Sequence, residues 1–310
     1  QNRQQAPPQH RPDTREVAVA QVTDKYSDYP SNGLTPVKLA EIFKEADAGD
    51  ILRQAELFEE MEEKDPHLFS QLQTRKNAVT GLDFEIIPFD SDDERDKEIA
   101  EFVEAQINGI EGLEDIMLDL LDAIGKGFAV SEIMWAYEAG RVVVSDIRSR
   151  YQKRFFWDSE DAFRVRTDEA PEGMELPKNK FILHRYKARS GHPSRAGVLR
   201  VVAWMYLFKN YTLKDWVAFC EVYGMPLRLG KYQPGASEDD KRALMQALAQ
   251  IGADAAGIFP DGTTIEFVNT EKASSTDLYE RLARYCDEQV SKAILGQTLT
   301  SDSGGGSYAQ

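Results

Sequence analysis

The chain has 310 residues, of which 42% are hydrophobic and 29% charged, and its formal net charge at pH 7 is −16. This length allows one large domain or two to three smaller ones, with enough apolar residues for a packed core. Two cysteines, Cys220 and Cys286, are too few for a disulfide framework and lack metal-ligand spacing, which favours a reducing compartment. With no apolar core near residue 1 and no run of about 20 apolar residues, we expect neither a signal peptide nor a membrane span.

Charge is unevenly distributed along the chain. Residues 141–232 contain 18 Lys or Arg and 10 Asp or Glu, whereas the rest of the chain holds 19 basic and 43 acidic residues. This division favours one surface for a polyanion or an acidic partner and another surface that repels them. An acidic surplus that only keeps the protein soluble explains the counts equally well.

The first third of the chain has mainly helical signals. Residues 1–33 are polar and rich in proline, which predicts a flexible N-terminal arm. A helix is predicted to start at Thr35 and another at Asp65, because each of these capping residues precedes a proline. Apolar spacing predicts further helices up to Gly125, with an edge strand over 82–88 between them.

After Gly125 the period of the apolar residues changes. Alternation over 128–137 and 141–147 predicts a β-hairpin, and short strands are expected at 155–157, 163–166 and 181–184. Together with the preceding helices, these strands predict an α+β domain over about 34–198.

Residues 199–224 have the pattern of one long, aromatic-rich helix. It is too apolar for the surface of a lone globular domain and too interrupted by charges to cross a membrane. We therefore expect it to pack against copies of itself. Lys209 and Lys214 interrupt its apolar run; they could follow a DNA backbone, or their stems could cover a packed helix while the ammonium groups reach water. The subunit-contact candidates are Trp204, Tyr211, Trp216, Phe219 and Tyr223.

A compact β-α-β-β module is predicted over 225–270, followed by a second long helix within 271–296 that runs antiparallel to the first. The last residues, 297–310, are polar and contain a glycine run, which predicts a flexible loop and a chain that continues beyond it.

The sequence predicts no catalytic residue, no metal ligand and no cofactor. His184 and His192 lack a third ligand at metal-binding spacing. The acid pairs at 92–93 and 239–240 could hold Mg²⁺ in a nuclease, but their place at charged helix starts is better explained by the helix dipole. Phosphate-binding glycine motifs are absent from the sequence. Cys220 is expected to be a small buried hydrophobe.

Three blocks of the sequence resemble the Mu-like phage portal protein family, in that family's order. They are residues 65–88 (DPHLFSQLQTRKNAVTGLDFEIIP), 195–232 (RAGVLRVVAWMYLFKNYTLKDWVAFCEVYGMPLRLGKY) and 294–310 (ILGQTLTSDSGGGSYAQ). The resemblance implies an α+β portal-type fold: a wing whose first part is 34–198, stem helices at 199–224 and 271–296, a clip at 225–270 and the start of a tunnel loop at 297–310. The rest of the wing and the crown are absent from the chain.

The resemblance also implies a function. Such proteins form a homo-oligomeric ring, normally of twelve subunits, at one vertex of the capsid. The ring is a conduit for double-stranded DNA during packaging and ejection, and it docks the terminase large subunit, head–tail adaptor and neck proteins beside the major capsid protein. The expected location is the virion, after assembly in the host cytoplasm. No enzymatic activity and no membrane contact are implied.

The resemblance assigns candidate residues to the channel and to the clip. The channel candidates are Lys209, Lys214, Gln297, Thr298, Thr300, Ser301, Ser303, Gly304, Gly305 and Gly306. The docking candidates in the clip are Lys231, Tyr232, Glu238, Asp239, Asp240 and Asp261.

Two alternatives remain open from the sequence. One is a metal-dependent nuclease or another enzyme of the phage packaging machinery, which would need clustered carboxylates. The other is a membrane-active protein that uses the aromatic helix.

Overall fold

The computed structural model describes residues 13–18, 32–138, 140–223, 228–250, 256–261 and 275–298. The chain divides into two compact units, one formed by residues 1–207 with 287–310 and the other by residues 208–286. Both units combine helices and strands, which confirms the predicted mixed α/β character.

The elements are numbered in chain order. The helices in the described residues are α1 (Pro36–Asp47), α2 (Leu52–Lys64), α3 (Pro66–Thr80), α4 (Glu94–Asn108), α5 (Leu113–Leu121), α6 (Ala123–Lys126), α7 (Leu199–Tyr223), α8 (Glu238–Gln250) and α9 (Ser275–Leu295). The strands there are β1 (Phe128–Glu138), β2 (Arg141–Arg150), β3 (Phe155–Trp157), β4 (Phe163–Val165), β5 (Met174–Glu175), β6 (Phe181–Arg185), β7 (Arg228–Tyr232) and β8 (Ala256–Pro260).

Side-chain caps start the first helices where the sequence predicts them. The Thr35 hydroxyl accepts a hydrogen bond from the Lys38 amide, with Pro36 in the first turn of α1. The Asp65 carboxylate accepts from the amides of His67 and Leu68 at the start of α3. These bonds satisfy amide groups that the helix itself leaves unpaired, so the caps define the helix starts.

The main core of the first unit lies among helices that are distant in the sequence. α1, α2 and α3 surround the first half of α7 and the last turns of α9. Its fully or nearly fully buried side chains include Leu39, Ile42, Leu57, Phe58, Met61, Leu68, Leu199, Tyr206, Val290 and Ile294. One end of each long helix, the first half of α7 and the last turns of α9, is therefore fixed in this apolar core.

The strands of the first unit form two small antiparallel sheets. One has the order β2-β1-β6, with the predicted hairpin closing near Gly140 at a positive φ of 78°, and the other has the order β3-β4-β5. Aromatic rings join them: Phe128 of β1 meets Trp157 of β3 edge to face, with ring centroids 5.1 Å apart. The predicted hairpin and the three predicted short strands are confirmed.

Two sequence predictions in the first unit are wrong in detail. Residues 82–88 form no strand, since no strand among the described residues pairs with them. The helix predicted over 111–125 is divided into α5 and α6 at Asp122, whose amide donates to the Asp119 carbonyl in a tighter, 3₁₀-type turn.

The Asp122 carboxylate lies between two buried ammonium groups. It pairs with Lys76 of α3 and, at 2.6 Å, with Lys126 of α6. Burial raises the pKa of the Asp122 carboxyl, but the charges and hydrogen bonds of Lys126 and Lys76 together outweigh it and hold the pKa below its ordinary value. Burial lowers the pKa of Lys126, but the negative charges of Asp122, Glu62 and Glu59 outweigh it and raise that pKa above its ordinary value. The break between α5 and α6 thus places the Asp122 carboxylate within ion-pair distance of both Lys76 and Lys126.

Replacing Asp122 with Asn should lower the free energy of unfolding by about 3 kcal/mol at pH 7, because two buried lysines lose their nearest carboxylate and Glu62 lies 3.9 Å from Lys76. This is the lower end of the range for losing one partner of a buried ion pair, because 24% of the Asp122 side chain is exposed to solvent. The stabilisation should be present above a pH of about 4 and be lost as the pH falls further, since the folded-state pKa is depressed. Urea unfolding at several pH values measures both effects.

The matched control is Asp115→Asn on the exposed side of α5, which should change stability by less than about 0.5 kcal/mol. Equal stabilities of the Asp122 variant and this control at pH 7 would contradict the assignment.

Part of the predicted N-terminal arm is packed on the first sheet. Glu132 of β1 is fully buried, and its carboxylate accepts hydrogen bonds from the Val17 and Ala18 amides at 2.6 and 2.9 Å. Ala18 is fully buried as well. These residues of the arm are therefore held in place by the fold and are not a free tail.

The second unit contains the predicted module. β7 and β8 pair in parallel, and α8 connects them. A Cβ atom on Gly230 would lie 2.8 Å from Leu248 and 3.2 Å from Leu244, so glycine lets α8 pack directly on the strand. The β-α-β part of the module is confirmed, and the predicted last strand at 264–268 lies outside the described residues.

Candidate functional site: exposed apolar stripes on two long helices

The second half of α7 carries an apolar stripe that stays exposed in the described structure. Leu213, Val217 and Cys220 recur at spacings of four and three residues, so they share one face of the helix. All three are exposed, Val217 with 58% of its surface. Cys220 is therefore not the buried residue that the sequence predicted, because its neighbours on this face are uncovered too.

A second stripe lies on the first half of α9. Leu278, Leu282 and Tyr285 have the same spacing of four and three residues, and they are 68%, 43% and 53% exposed. Sustained spacing of this kind is typical of helices that pack side by side. Contiguous exposed apolar surface is typical of an interaction site.

Other faces of these two helices are used within the unit. The Phe219 ring contacts the Tyr279 ring, with centroids 5.9 Å apart, and Ala283 and Cys286 of α9 are buried. Each helix therefore has an inner face that packs within the chain and an outer stripe that is available to another molecule.

The predicted contact residues are divided between these faces. Trp204 is half-buried and packs against the main core of its own chain, and Trp216 and Phe219 are also half-buried. Tyr211 is 39% exposed. The Tyr223 side chain lies outside the described residues. The sequence pointed to the aromatic side chains, and it missed Leu213 and Val217, which only the four–three spacing on the exposed face could have revealed.

Four of the predicted channel residues lie in the described part of the chain. Lys214 is exposed on α7 and Lys209 is half-buried. Gln297 is exposed and Thr298 is half-buried just after α9. The other six lie outside the described residues: Thr300, Ser301, Ser303, Gly304, Gly305 and Gly306.

The end of α9, where the predicted tunnel loop starts, is fixed by a cation. The Arg75 guanidinium of α3 donates hydrogen bonds to the Ile294 carbonyl and to the Tyr186 hydroxyl, and it lies 5.4 Å from the centroid of the Tyr186 ring. The Ile294 carbonyl is one of the last in the helix and lacks a partner within it. Arg75 therefore fixes the last turn of α9, immediately before residue 297.

Arg75→Ala should make the C-terminal end of α9 more mobile. We expect amide hydrogen exchange in peptides covering 290–298 to become about tenfold faster, because a charged hydrogen bond at the helix end is lost. Arg53→Ala is the control, since Arg53 pairs with Glu45 on the exposed surface of the same unit. Unchanged exchange at 290–298 in the Arg75 variant would contradict this role.

The predicted docking residues of the module gather at one end of its strand pair. The Asp261 amide donates to the Tyr232 carbonyl at 2.6 Å, and Lys241 of α8 lies 5.2 Å from the centroid of the Tyr232 ring. At the start of α8 the Asp240 carboxylate accepts from the Ser237 hydroxyl at 2.7 Å. The exposed docking candidates are Lys231, Glu238, Asp239, Asp240 and Asp261, and Tyr232 is half-buried.

The histidines make other contacts than the metal site considered from the sequence. The His184 ring bonds the Leu120 carbonyl, and the His192 ring lies between Ser194 and Asp161. Among the described residues, no three His, Cys, Asp or Glu side chains form a group that could hold a metal ion. None of the described helices is long and apolar enough to cross a membrane.

Comparison with known proteins identifies the class to which this arrangement belongs. The family described as "Portal protein of Mu bacteriophage" matches residues 55–310. The chain therefore belongs to the Mu phage portal protein family, which confirms the resemblance seen in the sequence.

Two relatives are longer than this chain. "Mu-like prophage FluMu protein gp29" of Haemophilus influenzae is 38% identical over 286 residues, which are 90% of this chain and 54% of the relative. "Portal protein" of Escherichia phage Mu is 34% identical over 292 residues, 94% of this chain and 57% of the relative. The chain thus spans about half the length of the curated relatives it matches.

One solved structure shares the fold at low sequence identity. A chain of the "Virion of native gene transfer agent (GTA) particle" is 11% identical, with a TM-score of 0.53 over 79% of this chain and 69% of that chain. This likeness supports the fold alone.

Proposed function

We propose that the protein is a phage portal subunit, which forms a ring of twelve copies at one capsid vertex and serves as the conduit for double-stranded DNA. The observation that carries the proposal is membership of the Mu portal protein family over residues 55–310. The uncovered apolar stripes on α7 and α9 support it, because a ring of copies would bury them.

The parts of the fold correspond to the parts of such a ring in this proposal. Residues 34–198 form the first part of the wing, and α7 and α9 form the stem. Residues 225–270 form the clip, and 297–310 begin the tunnel loop. Each stem helix would use its inner face within the subunit and its outer stripe, centred on Val217 or Leu282, against a neighbour.

The charge distribution suits a conduit through which DNA must slide. The acidic surplus outside residues 141–232 repels a polyanion and keeps it from being gripped. Lys214 and the residues after α9 are the candidates for contact with DNA, and Arg75 would hold the base of the loop. This role is structural and requires no catalytic group.

The clip is the proposed docking platform for the terminase large subunit during packaging and for the head–tail adaptor and neck proteins afterwards. Exposed charges at the start of α8, with Tyr232 and Asp261 at the strand ends, offer a polar surface for exchangeable partners. The ring would contact the major capsid protein, and the mature location would be the virion after assembly in the host cytoplasm.

The proposal is tested in the phage that encodes the protein. Without the protein, heads should contain no DNase-resistant DNA, and the complete protein supplied in trans should restore it. Normal amounts of protected DNA in heads that lack the protein would overturn the proposal.

A further inference from the structure

Residues 82–89 and α4 form an exposed surface with no cover from the described chain. Leu82, Phe84, Ile87 and Phe89 are 66%, 55%, 73% and 100% exposed. On α4 only Ala100 is buried, and Ile99, Phe102 and Val103 are exposed. Several exposed apolar side chains on adjacent segments are typical of an interface.

The backbone amides of this segment are unpaired as well. Within the described part of the chain, the amides of residues 83–87 donate no hydrogen bond. The sequence nonetheless alternates between apolar and acidic residues over 82–86, so in a strand Leu82, Phe84 and Ile86 would share one face and Asp83 and Glu85 the other. The segment therefore has the sequence pattern of a strand, and no strand among the described residues pairs with it.

The same chain presents an open sheet edge. β6 is the last strand of the sheet β2-β1-β6 among the described residues, so one of its two edges carries unpaired backbone groups. Phe181 and Leu183 of this strand pack towards the aromatic core between the two sheets. An added strand with apolar side chains on one side would extend that apolar face.

Opposite charges on the surface around 82–104 and on the β6 edge favour their association. Residues 82–104 contain ten acidic and two basic residues. Residues 178–195 contain six Lys or Arg and no Asp or Glu. Arg185, Lys187 and Arg189 are exposed, with no carboxylate at ion-pair distance among the described residues. The acidic segment of one molecule and the basic edge of another are therefore complementary.

We propose that residues 82–88 of one copy pair as an additional strand with the open edge of β6 in the next copy, where the acidic residues around α4 meet Arg185, Lys187 and Arg189. The partner is a second copy because one chain carries both complementary surfaces. Two different surfaces joined in this way give a head-to-tail contact, the type of contact from which rings are built when the rotation between copies closes. The inference rests on the ring in the proposed function and adds to it an interface outside α7 and α9.

Proline substitution distinguishes strand pairing from simple side-chain packing. In a strand, only alternate amides point to one neighbour. Proline at 83, 84, 85 and 86, each compared with alanine at the same position, should therefore impair ring assembly at two alternate positions and leave the other two near the alanine level. At the two sensitive positions we expect the concentration needed for assembly, measured by mass photometry, to rise about tenfold.

A charge exchange tests the choice of partner surface. Asp83→Lys with Glu85→Lys should prevent assembly, and so should Arg185→Glu with Arg189→Glu. All four substitutions in one chain should restore it, because each contact again joins opposite charges. Circular dichroism and thermal unfolding of the unassembled chain should match the parent protein in every case.

The outcomes separate this interface from the proposed function. Rings that form equally well in all proline and charge variants would overturn the interface and leave the portal function intact. Failure of the fourfold variant to assemble, with both double variants folded, would also overturn the pairing with β6. A parent protein that never assembles would instead count against the ring itself.

Discussion

Val217→Asp is expected to abolish ring formation while the subunit remains folded. Val217 is 58% exposed at the centre of the outer stripe of α7, so an aspartate there is solvated in the isolated chain. In a ring the same carboxylate would be buried without a partner, which costs several kcal/mol at every subunit contact. Mass photometry should show only small species, with the circular dichroism spectrum and thermal unfolding of the parent protein.

Two variants complete this experiment. Val217→Thr nearly preserves shape and should retain most assembly, and Asp215→Asn alters an exposed position on the same helix without adding a charge. Trp216 and Phe219, two of the contact residues predicted from the sequence, are less suitable targets. Both rings are half-buried and Phe219 contacts Tyr279, so Asp at either position should also disturb folding. Normal rings from Val217→Asp would show that the α7 stripe lies outside the subunit contact.

Glu132→Ala is expected to lower the free energy of unfolding by about 3–5 kcal/mol. The Glu132 carboxylate is fully buried and lies 2.9 Å from the Arg150 Nε atom and 3.5 Å from the Lys180 Nζ atom, both also buried. Without it, two cations are left without their buried anion, and residues 17 and 18 lose the acceptor of their amides. Urea unfolding of the unassembled chain measures the loss.

The control for Glu132 lies on the same strand. Glu138→Ala removes an exposed carboxylate at the end of β1 and should change stability by less than about 0.5 kcal/mol. The Glu132 variant should also expose residues 13–18 to limited proteolysis, whereas the Glu138 variant should not. Equal stability of the two variants would contradict the central position of Glu132 in this cluster.

Local signals in the sequence were sufficient for most elements of the fold. Thr35 and Asp65 predicted helix starts because their side chains pair with amides of the first turn, a contact that depends only on neighbouring residues. The hairpin of β1 and β2 and the extent of α7 followed in the same way from period and composition. The family was also identifiable, because its three sequence blocks lie in one chain.

Features that depend on distant contacts were not predictable. Residues 82–88 have the alternation of a strand, but pairing requires a neighbour that the described part of the chain does not supply. The position of Glu132 under residues 17 and 18 joins parts of the chain more than 110 residues apart. The exposed face of α7 was hidden in the sequence, because aromatic residues surround the helix and only packing shows which side its own chain covers.

The most direct test of the central proposal is electron microscopy of the purified protein in the absence of other phage components. If the protein is a portal subunit, end-on views should show closed rings of twelve subunits with an open central channel, and mass photometry should give the corresponding mass. A chain that remains monomeric across protein concentrations, salt concentrations and pH values would contradict the proposal.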